Sequence, residues 1–422
     1  MYKTARTAIV SRSARVGIVG LSPSVLRTTN DLINSGLNVF GFDSEIHDVA
    51  DWKRLAEKMN GQPSAKSLQD LIDRGFTIVD QVERLADADV LLLNFATQLA
   101  PDLGSLFRAV DVLAKQLRIG QLLILEGWLY PGMTREMIGP ILQKRGFKIG
   151  CDYFLACCPA RRKQESPRVV GGLESRSLDL ADEFWKHVPG QVLRATSLET
   201  AEACAVLENT LHDVKTAAMH ELKLLFDRID IDIWQVFELT RHGVLGRQVG
   251  EPESALEGSE SANASYLSRI FHRHAVTPRL IDLAGEINSG KIQHVLDQVN
   301  DALNDRCKPM KGSKILVVGI VNAENSQHVL PPSVKLLNRL REKGATVSYH
   351  DPLVPELFQD TDSPLRSQLL TEESVAALDA VLVLVDCQGI DWAWVVRNSQ
   401  LVIDAANATR KVDEYRNRVR RV

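Results

Sequence analysis

The chain has 422 residues, 45% apolar and 25% charged, with 50 basic against 54 acidic side chains and a formal charge of -4. At about 150 residues per domain this length argues for roughly three domains, and the composition excludes wholesale disorder and fibrous repeats. No broad positive field is available for nucleic acid, and the longest apolar runs, 90–93 and 380–385, are far shorter than the ~20 residues of a membrane span. Neither partner is expected.

The N-terminal stretch, MYKTARTAIVSRSAR, is basic but has no apolar run long enough for a signal peptide. Residues 14–20 (ARVGIVG) form a short apolar run ending in glycine. A helical pattern then leads to Gly36, and a second strand, 38–42 (NVFGF), ends at Asp43. The plan recurs late in the chain. Residues 313–319 (SKILVVG) are followed by a helical stretch at 332–343, and then by a strand at 346–349 ending at Asp351. Each reads as a βαβ unit of a parallel sheet. Further strands are expected at 88–94 and 121–126 in the first half, and at 380–386 and 401–404 in the second. Their apolar runs are continuous rather than alternating, which suggests sheets buried on both faces.

Between the halves the pattern is helical. Apolar residues at 203, 206, 207, 211, 214, 217, 218, 222, 225 and 226 keep a helical period across 200–229, and 233–239 and 279–303 are helical as well. Residues 243–264 have no apolar period and read as a long loop, strongly negative through Glu251, Glu253, Glu257 and Glu260. Residues 410–422, with six basic and two acidic side chains, read as a solvated helix end. The expected fold class is therefore α/β, with two doubly wound Rossmann-like domains, 1–197 and 312–422. They are joined by a helical dimerisation region, 198–311, whose long helix is a natural dimer spine.

Cysteines stand at 151, 157, 158, 204, 307 and 387, with no CxxC pair and no Cys/His cluster of zinc spacing. Free, mostly buried thiols in a reducing cytoplasm are the expectation, with no metal site. Cys157 and Cys158, neighbours in the run DYFLACCP, should point to opposite faces of a strand. His272 and His274 are assigned no metal.

A dinucleotide site needs glycine for the tight turn, for approach of the pyrophosphate and for helix–strand packing. The first loop reads Gly20-Leu21-Ser22-Pro23-Ser24-Val25. Of the three glycines only Gly20 stands. Ser22 adds a Cβ where phosphate should approach, and Pro23 removes one N–H donor. Asp43, 23 residues after Gly20, has the spacing of an acid that accepts from ribose hydroxyls. Gly20, Ser22 and Asp43 are thus the cofactor candidates. The alternative is a capped helix, with Ser22 or Ser24 as the cap and Asp43 merely ending a strand.

Several segments together resemble the UDP-glucose/GDP-mannose dehydrogenases: AEACAVLENTLHDVKTAAMHEL at 201–222, PRVVGG at 167–172 and GATVSYHDPLVPE at 344–356, in the same order of elements over about 15–410. The resemblance implies an NAD domain, a helical dimer core and a nucleotide-sugar domain. It also implies a four-electron oxidation of a sugar C6 alcohol to a carboxylate, with a cysteine thiohemiacetal in the second step.

Compared position by position, the family's catalytic threonine is matched by Trp128, its glutamate by Ala160, and a second acid by Gln164. The lysine of its Lys/Asn pair is matched by Ala205, and Asn209 keeps the asparagine. No cysteine lies between Cys204 and Cys307. Counting back from Tyr266 puts Ser259, Glu260 or Ser261 at the nucleophile's place, and the partner aspartate near Asn263 or Ala264. In the last domain a lysine is matched by Ala323 and an arginine by Val329 or Leu330. The Asp-x-Arg-Asn motif reads Asp404-Ala405-Ala406-Asn407. Candidate substrate contacts are Asn209 and Arg161, with Arg162, Lys163, His212 and His242 around the presumed cleft.

The main expectation from these substitutions is a relative unable to perform the usual oxidation, binding a nucleotide or nucleotide sugar or serving as a partner subunit. It would retain NAD as cofactor on a weakened phosphate loop, and would form a homodimer or a heterodimer with an active relative. The alternatives are a repurposed NAD-dependent oxidoreductase acting on a nucleotide sugar or related metabolite, and a purely structural dimer.

Overall fold

The structure is a computed structural model that describes residues 1–21, 25–43, 65–95, 103–127, 129–143, 146, 148–160, 166–229, 231–240, 256, 267, 271, 275–320, 332–357 and 365–422. These residues fall into two compact units, one running up to Asn209 and the other taking up at Thr210.

The first unit opens with α1 (Tyr2–Val10) and β1 (Arg15–Val19), followed by α2 (Val25–Asn34), β2 (Asn38–Phe42), α3 (Ala65–Asp73) and β3 (Thr77–Val79). Then come β4 (Val90–Phe95), α4 (Leu103–Gln116) and β5 (Leu122–Gly127). A π-helical turn (Met133–Ile138) runs into α5 (Gly139–Gln143). The unit continues through β6 (Phe154–Pro159), β7 (Arg168–Gly172), α6 (Ser175–Trp185) and β8 (Val192–Arg194) to the start of α7 (Leu198–Arg228). Its sheet has the order β3-β2-β1-β4-β5-β6-β7-β8, and β7 runs antiparallel to β6. The order of the first six strands, 3-2-1-4-5-6, is that of dinucleotide-binding sheets, which reverse direction of growth between β1 and β4.

The continuous apolar runs do what two-faced burial demands. In β4, Val90 and Leu92 enter one core cluster, while Leu91 and Leu93 enter the other. Cys158 and Cys157 divide between the same two clusters, so the paired thiols of β6 lie on opposite faces as expected.

After α7 the second unit has α8 (Ile233–Thr240) and α9 (Arg279–Asn304). Its sheet domain then runs β9 (Lys314–Val318), α10 (Pro332–Glu342), β10 (Thr346–His350), the antiparallel pair β11 (Glu356–Leu357) and β12 (Leu365–Arg366), α11 (Glu372–Ala376), β13 (Ala380–Val383), α12 (Trp392–Asn398), β14 (Val402–Asp404) and β15 (Val419–Arg421). The strand order β10-β9-β13-β14-β15 is parallel throughout. Two parallel-sheet domains with long helices between them in sequence is the α/β class read from the sequence.

Two terminal segments depart from that reading. The basic N-terminal stretch is helix α1, because Ala5 and Ile9, four apart, are buried in the first core, and Tyr2 meets Phe154 edge-on at 6.1 Å. The basic C-terminal stretch is not a helix end but includes the edge strand β15, with Val419 paired to Val402. The charge count hid the apolar anchors of that strand, notably Val422, which is 1% exposed. The arginines around it serve as ties. Arg420 pairs with Asp305 at 2.8 Å, and Arg410 pairs with Asp386 at 2.7 Å.

Within the second unit α7 and α9 meet through buried polar groups. Asn288 donates to the Asp213 carbonyl at 2.9 Å, and Lys291 donates to the Thr216 carbonyl at 3.2 Å. One turn further the His220 and His294 rings stand edge to face, 5.2 Å apart. Burial, reinforced by Lys291, His294 and Lys223, lowers the His220 imidazole from its ordinary 6.5 to about 4. Burial and Lys223 lower His294 too, with Asp227 and Asp297 opposing.

An unfolded chain would take up protons at these histidines near pH 6.5, whereas the folded chain holds them neutral, so the native state is disfavoured as pH falls from 6.5 toward 4. Urea midpoints should therefore decline over that window, and His220→Gln should flatten part of the decline relative to wild type.

Candidate active site

Both sheets carry the same device at the turn after their first strand. Gly20 takes φ +88°, and a Cβ there would lie 2.0 Å from the Asn94 carbonyl oxygen at the end of β4. Only glycine fits. The Gly20 amide donates to the Phe42 carbonyl at 3.0 Å, and the Leu21 amide donates to Asp43 Oδ2 at 2.8 Å. In the second unit Gly319 takes φ +83°, and its Cβ would lie 2.6 Å from the Val385 Cβ. Its amide donates to the His350 carbonyl at 3.0 Å, and Ile320 donates to Asp351 Oδ2 at 2.6 Å. An aspartate ending the second strand thus pins the turn after the first in each half. Asp43 and Gly20 are brought together as the spacing suggested. Ser22 lies outside the described residues.

The carboxyl end of the first sheet continues at β5 and β6. Asn94, Glu126 and Cys158 lie in register across β4, β5 and β6. Thr28 of α2 donates to Glu126 Oε1 at 3.2 Å. Ala160, half-buried just past β6, donates its amide to the Gly127 carbonyl at 2.8 Å, which places it beside the end of β5. Trp128, Arg161 and Gln164 lie outside the described residues. So do Arg162, Lys163, His242, residues 243–264 apart from the buried Leu256, His272, His274, Ala323, Val329 and Leu330.

The start of α7 is bound tightly to this end of the sheet. A Cβ on Gly171 would come within 2.9 Å of both the Ala201 Cβ and the Ser197 carbonyl oxygen. One on Gly172 would come within 2.3 Å of the Leu178 amide nitrogen. The paired glycines of PRVVGG therefore let two helices, α7 and α6, approach the backbone of β7 together. From α7 two acids reach the turn after β5. Glu199 accepts from Arg135 Nε at 2.6 Å. Glu202, 0% exposed, accepts from the Gly132 amide at 2.7 Å and from the Thr134 amide at 2.9 Å.

Burial raises the Glu202 carboxyl above its ordinary range, against the lowering pull of those donors. Burial first, and then the Glu202 charge, push the Cys157 thiol well up, so this thiol is no nucleophile.

Ala205 and Asn209, three and seven residues on from Glu202, share its face of the helix. Both are buried, and Asn209 Nδ2 donates to the Ala205 carbonyl at 2.8 Å. The structure thus gathers Glu202, Ala205 and Asn209 on one buried stripe of α7. The sequence reading found the last two and missed Glu202, although the three- and seven-residue spacing was its available signal.

In the second unit Asp404 is buried at the end of β14. It accepts from the amides of Ala406 at 3.0 Å, Ala408 at 3.1 Å and Thr409 at 2.8 Å, and from the Thr409 hydroxyl at 2.6 Å. Asn407 adopts a left-handed φ of 52° in that loop. The Asp and Asn of this segment shape the loop.

Comparison with known proteins adds what these parts belong to. Residues 199–290 match the central domain of the UDP-glucose/GDP-mannose dehydrogenase family, and residues 330–411 match its UDP binding domain. The family likeness thus spans the helical region and the second sheet domain. Among similar proteins, the UDP-N-acetyl-D-mannosamine dehydrogenase of Pyrococcus horikoshii is 23% identical over 416 residues, covering 93% of this chain and 95% of the relative. The UDP-N-acetyl-D-glucosamine 6-dehydrogenase of Pseudomonas aeruginosa is 25% identical over 333 residues, covering 75% and 78%. A solved structure of UDP-D-ManNAc dehydrogenase from Pyrococcus horikoshii superposes with a TM-score of 0.76 at 21% identity, covering 97% of this chain and 99% of that one.

These matches correct the expectation of a binding-only or partner-subunit relative. The chain aligns across most of its length with dehydrogenases, and nothing in them indicates inactivity. That expectation rested on the joint absence of the thiol, the lysine, the threonine and both acids, with Trp128, Ala160, Gln164 and Ala205 at the family's positions and no cysteine between Cys204 and Cys307. Removal of hydride from an alcohol requires no thiol, so the missing cysteine does not by itself exclude an oxidation.

If the α7–β7 approach sets the site, Gly171→Val should push the first turn of α7 off the sheet. A loss of about 2–4 kcal/mol in urea unfolding is expected, the range of severe overpacking against backbone.

Proposed function

We propose that the protein is an NAD+-dependent oxidoreductase acting on a UDP-linked N-acetylhexosamine. The observation that carries this reading is the 416-residue alignment with a UDP-N-acetyl-D-mannosamine dehydrogenase, which leaves no domain of that enzyme without a counterpart here. The sheet order 3-2-1-4-5-6 and the strained Gly20 turn suit a dinucleotide at the β1/β4 switch point. Bound NAD+ would supply the hydride acceptor.

Around it, this chain's own groups take simple roles. The Leu21 turn would approach the pyrophosphate through backbone. Asp43, 23 residues after Gly20 and at the turn it pins through Leu21, would accept from a ribose hydroxyl. Asn209 spends one N–H on the Ala205 carbonyl and has a second with which to hold a sugar oxygen as it loses its proton. The segment 330–411 would hold the UDP moiety, in keeping with its family match. The stripe of Leu211, Leu222, Leu225 and Ile229 stands exposed on α7, and we assign it to contact with a second copy.

Purified protein should reduce NAD+ when supplied with UDP-N-acetylmannosamine or UDP-N-acetylglucosamine, read by absorbance of the reduced nicotinamide. No reduction with either, nor with UDP-glucose or GDP-mannose, would remove the reading. Asn209→Ala should lower kcat by about 100- to 1,000-fold, as loss of one oxyanion donor does. Light scattering should give a dimer that Leu222→Glu with Leu225→Glu converts to monomer.

A further inference from the structure

We propose that Glu202 is a positioning residue for this oxidation: its buried carboxylate holds the turn after β5 in register with the Asn209 stripe of α7. The inference rests on the reading of Asn209 as a sugar contact. It starts from a physical oddity. A carboxylate with 0% exposure costs several kcal/mol to bury, unless it is well paired. Arg135 feels the Glu202 charge but gives its hydrogen bond to Glu199 instead. The partners of Glu202 are two backbone amides, Gly132 N at 2.7 Å and Thr134 N at 2.9 Å, at the mouth of the π-helical turn.

A helix-to-loop joint could be made more cheaply with apolar side chains. Two short charge-assisted bonds give something that apolar contacts do not, which is direction. They fix both the rotation of α7 about its axis and its height along the turn. Gly132, with φ +90°, is the residue that lets the turn present its amide to the helix. Glu199, one helical turn earlier, repeats the grip through Arg135 at 2.6 Å. Asn209 lies two turns beyond Glu202 on the same stripe, so any slip of α7 at Glu202 is carried to Asn209 along a stiff helix. The titratable and polar side chains that interact with Glu202 are Glu199 on its own helix, Thr134 and Arg135 on the turn, and Cys157 on β6.

Glu202→Gln tests this, because glutamine keeps the shape but can accept through one terminal atom only. Two readouts are needed. Hydrogen exchange at the Gly132 and Thr134 amides requires no turnover, and should quicken about tenfold at one or both as the lost acceptor frees the turn. Steady-state kinetics should show kcat falling about tenfold or more, with the KM for the UDP-sugar within about threefold, since misplacement by a fraction of an ångström acts on the chemical step. Glu202→Asp keeps two acceptors one methylene short, and should fall between wild type and Gln in both readouts. It also serves if Gln does not fold.

Unchanged exchange in Glu202→Gln would overturn the contact, whatever the activity of the wild type. Faster exchange with unchanged kcat would overturn the positioning role. Failure of the wild type to reduce NAD+ with any sugar would instead remove the functional reading, and is told apart because exchange is measured without substrate.

Discussion

A negative charge sealed from water has to be answered by donors aimed at it, and at Glu202 the donors belong to a different segment from the helix that carries the acid. That requirement couples three pieces of the first unit. The turn after β5 supplies the amides. The helix α7 supplies the carboxylate, and the paired glycines of β7 let that helix come close enough for the two to meet. Remove any one, and the remaining two have no reason to hold their spacing. The buried stripe from Glu202 to Asn209 begins at this joint, beside the apolar packing of Leu198 and Ala201.

Much of the architecture could be read from the chain before any coordinates. Glycine-terminated apolar runs, each followed by a helical period and a strand ending in aspartate, announced both βαβ units, and Asp43 and Asp351 proved to occupy matching places at the two turns. What escaped was of two kinds. Some elements were masked by charge: β15 is written Val-Arg-Arg, and its arginines drew attention away from the valines that seat it. Others depend on distances that no sequence period encodes. PRVVGG could be recognised as a pattern, but only the approach of Ser197 and Leu178 shows why neither glycine can bear a side chain.

Function was harder to read, for a physical reason. Residue-by-residue comparison weighs each missing catalytic group as a loss, and those losses seemed to multiply. Yet a dehydrogenase is first a device for aligning a carbon–hydrogen bond with a nicotinamide, and alignment comes from the frame: turn, helix stripe and sheet edge. The fold of this chain matches that of a solved UDP-D-ManNAc dehydrogenase over 97% of its length. Cys157, buried in β6 with its thiol pushed up by burial and by the Glu202 charge, belongs to the packing of the sheet.

The last strand also has a practical side. β15 occupies the margin of the second sheet, so β14 has hydrogen-bonded neighbours on both sides. A chain shortened to residue 418 would leave β14 with a bare row of amides and carbonyls, a ready template for the strand of another molecule. Fusion partners and affinity handles are therefore safer beyond a linker that preserves Val422 in its socket than spliced directly onto a trimmed end.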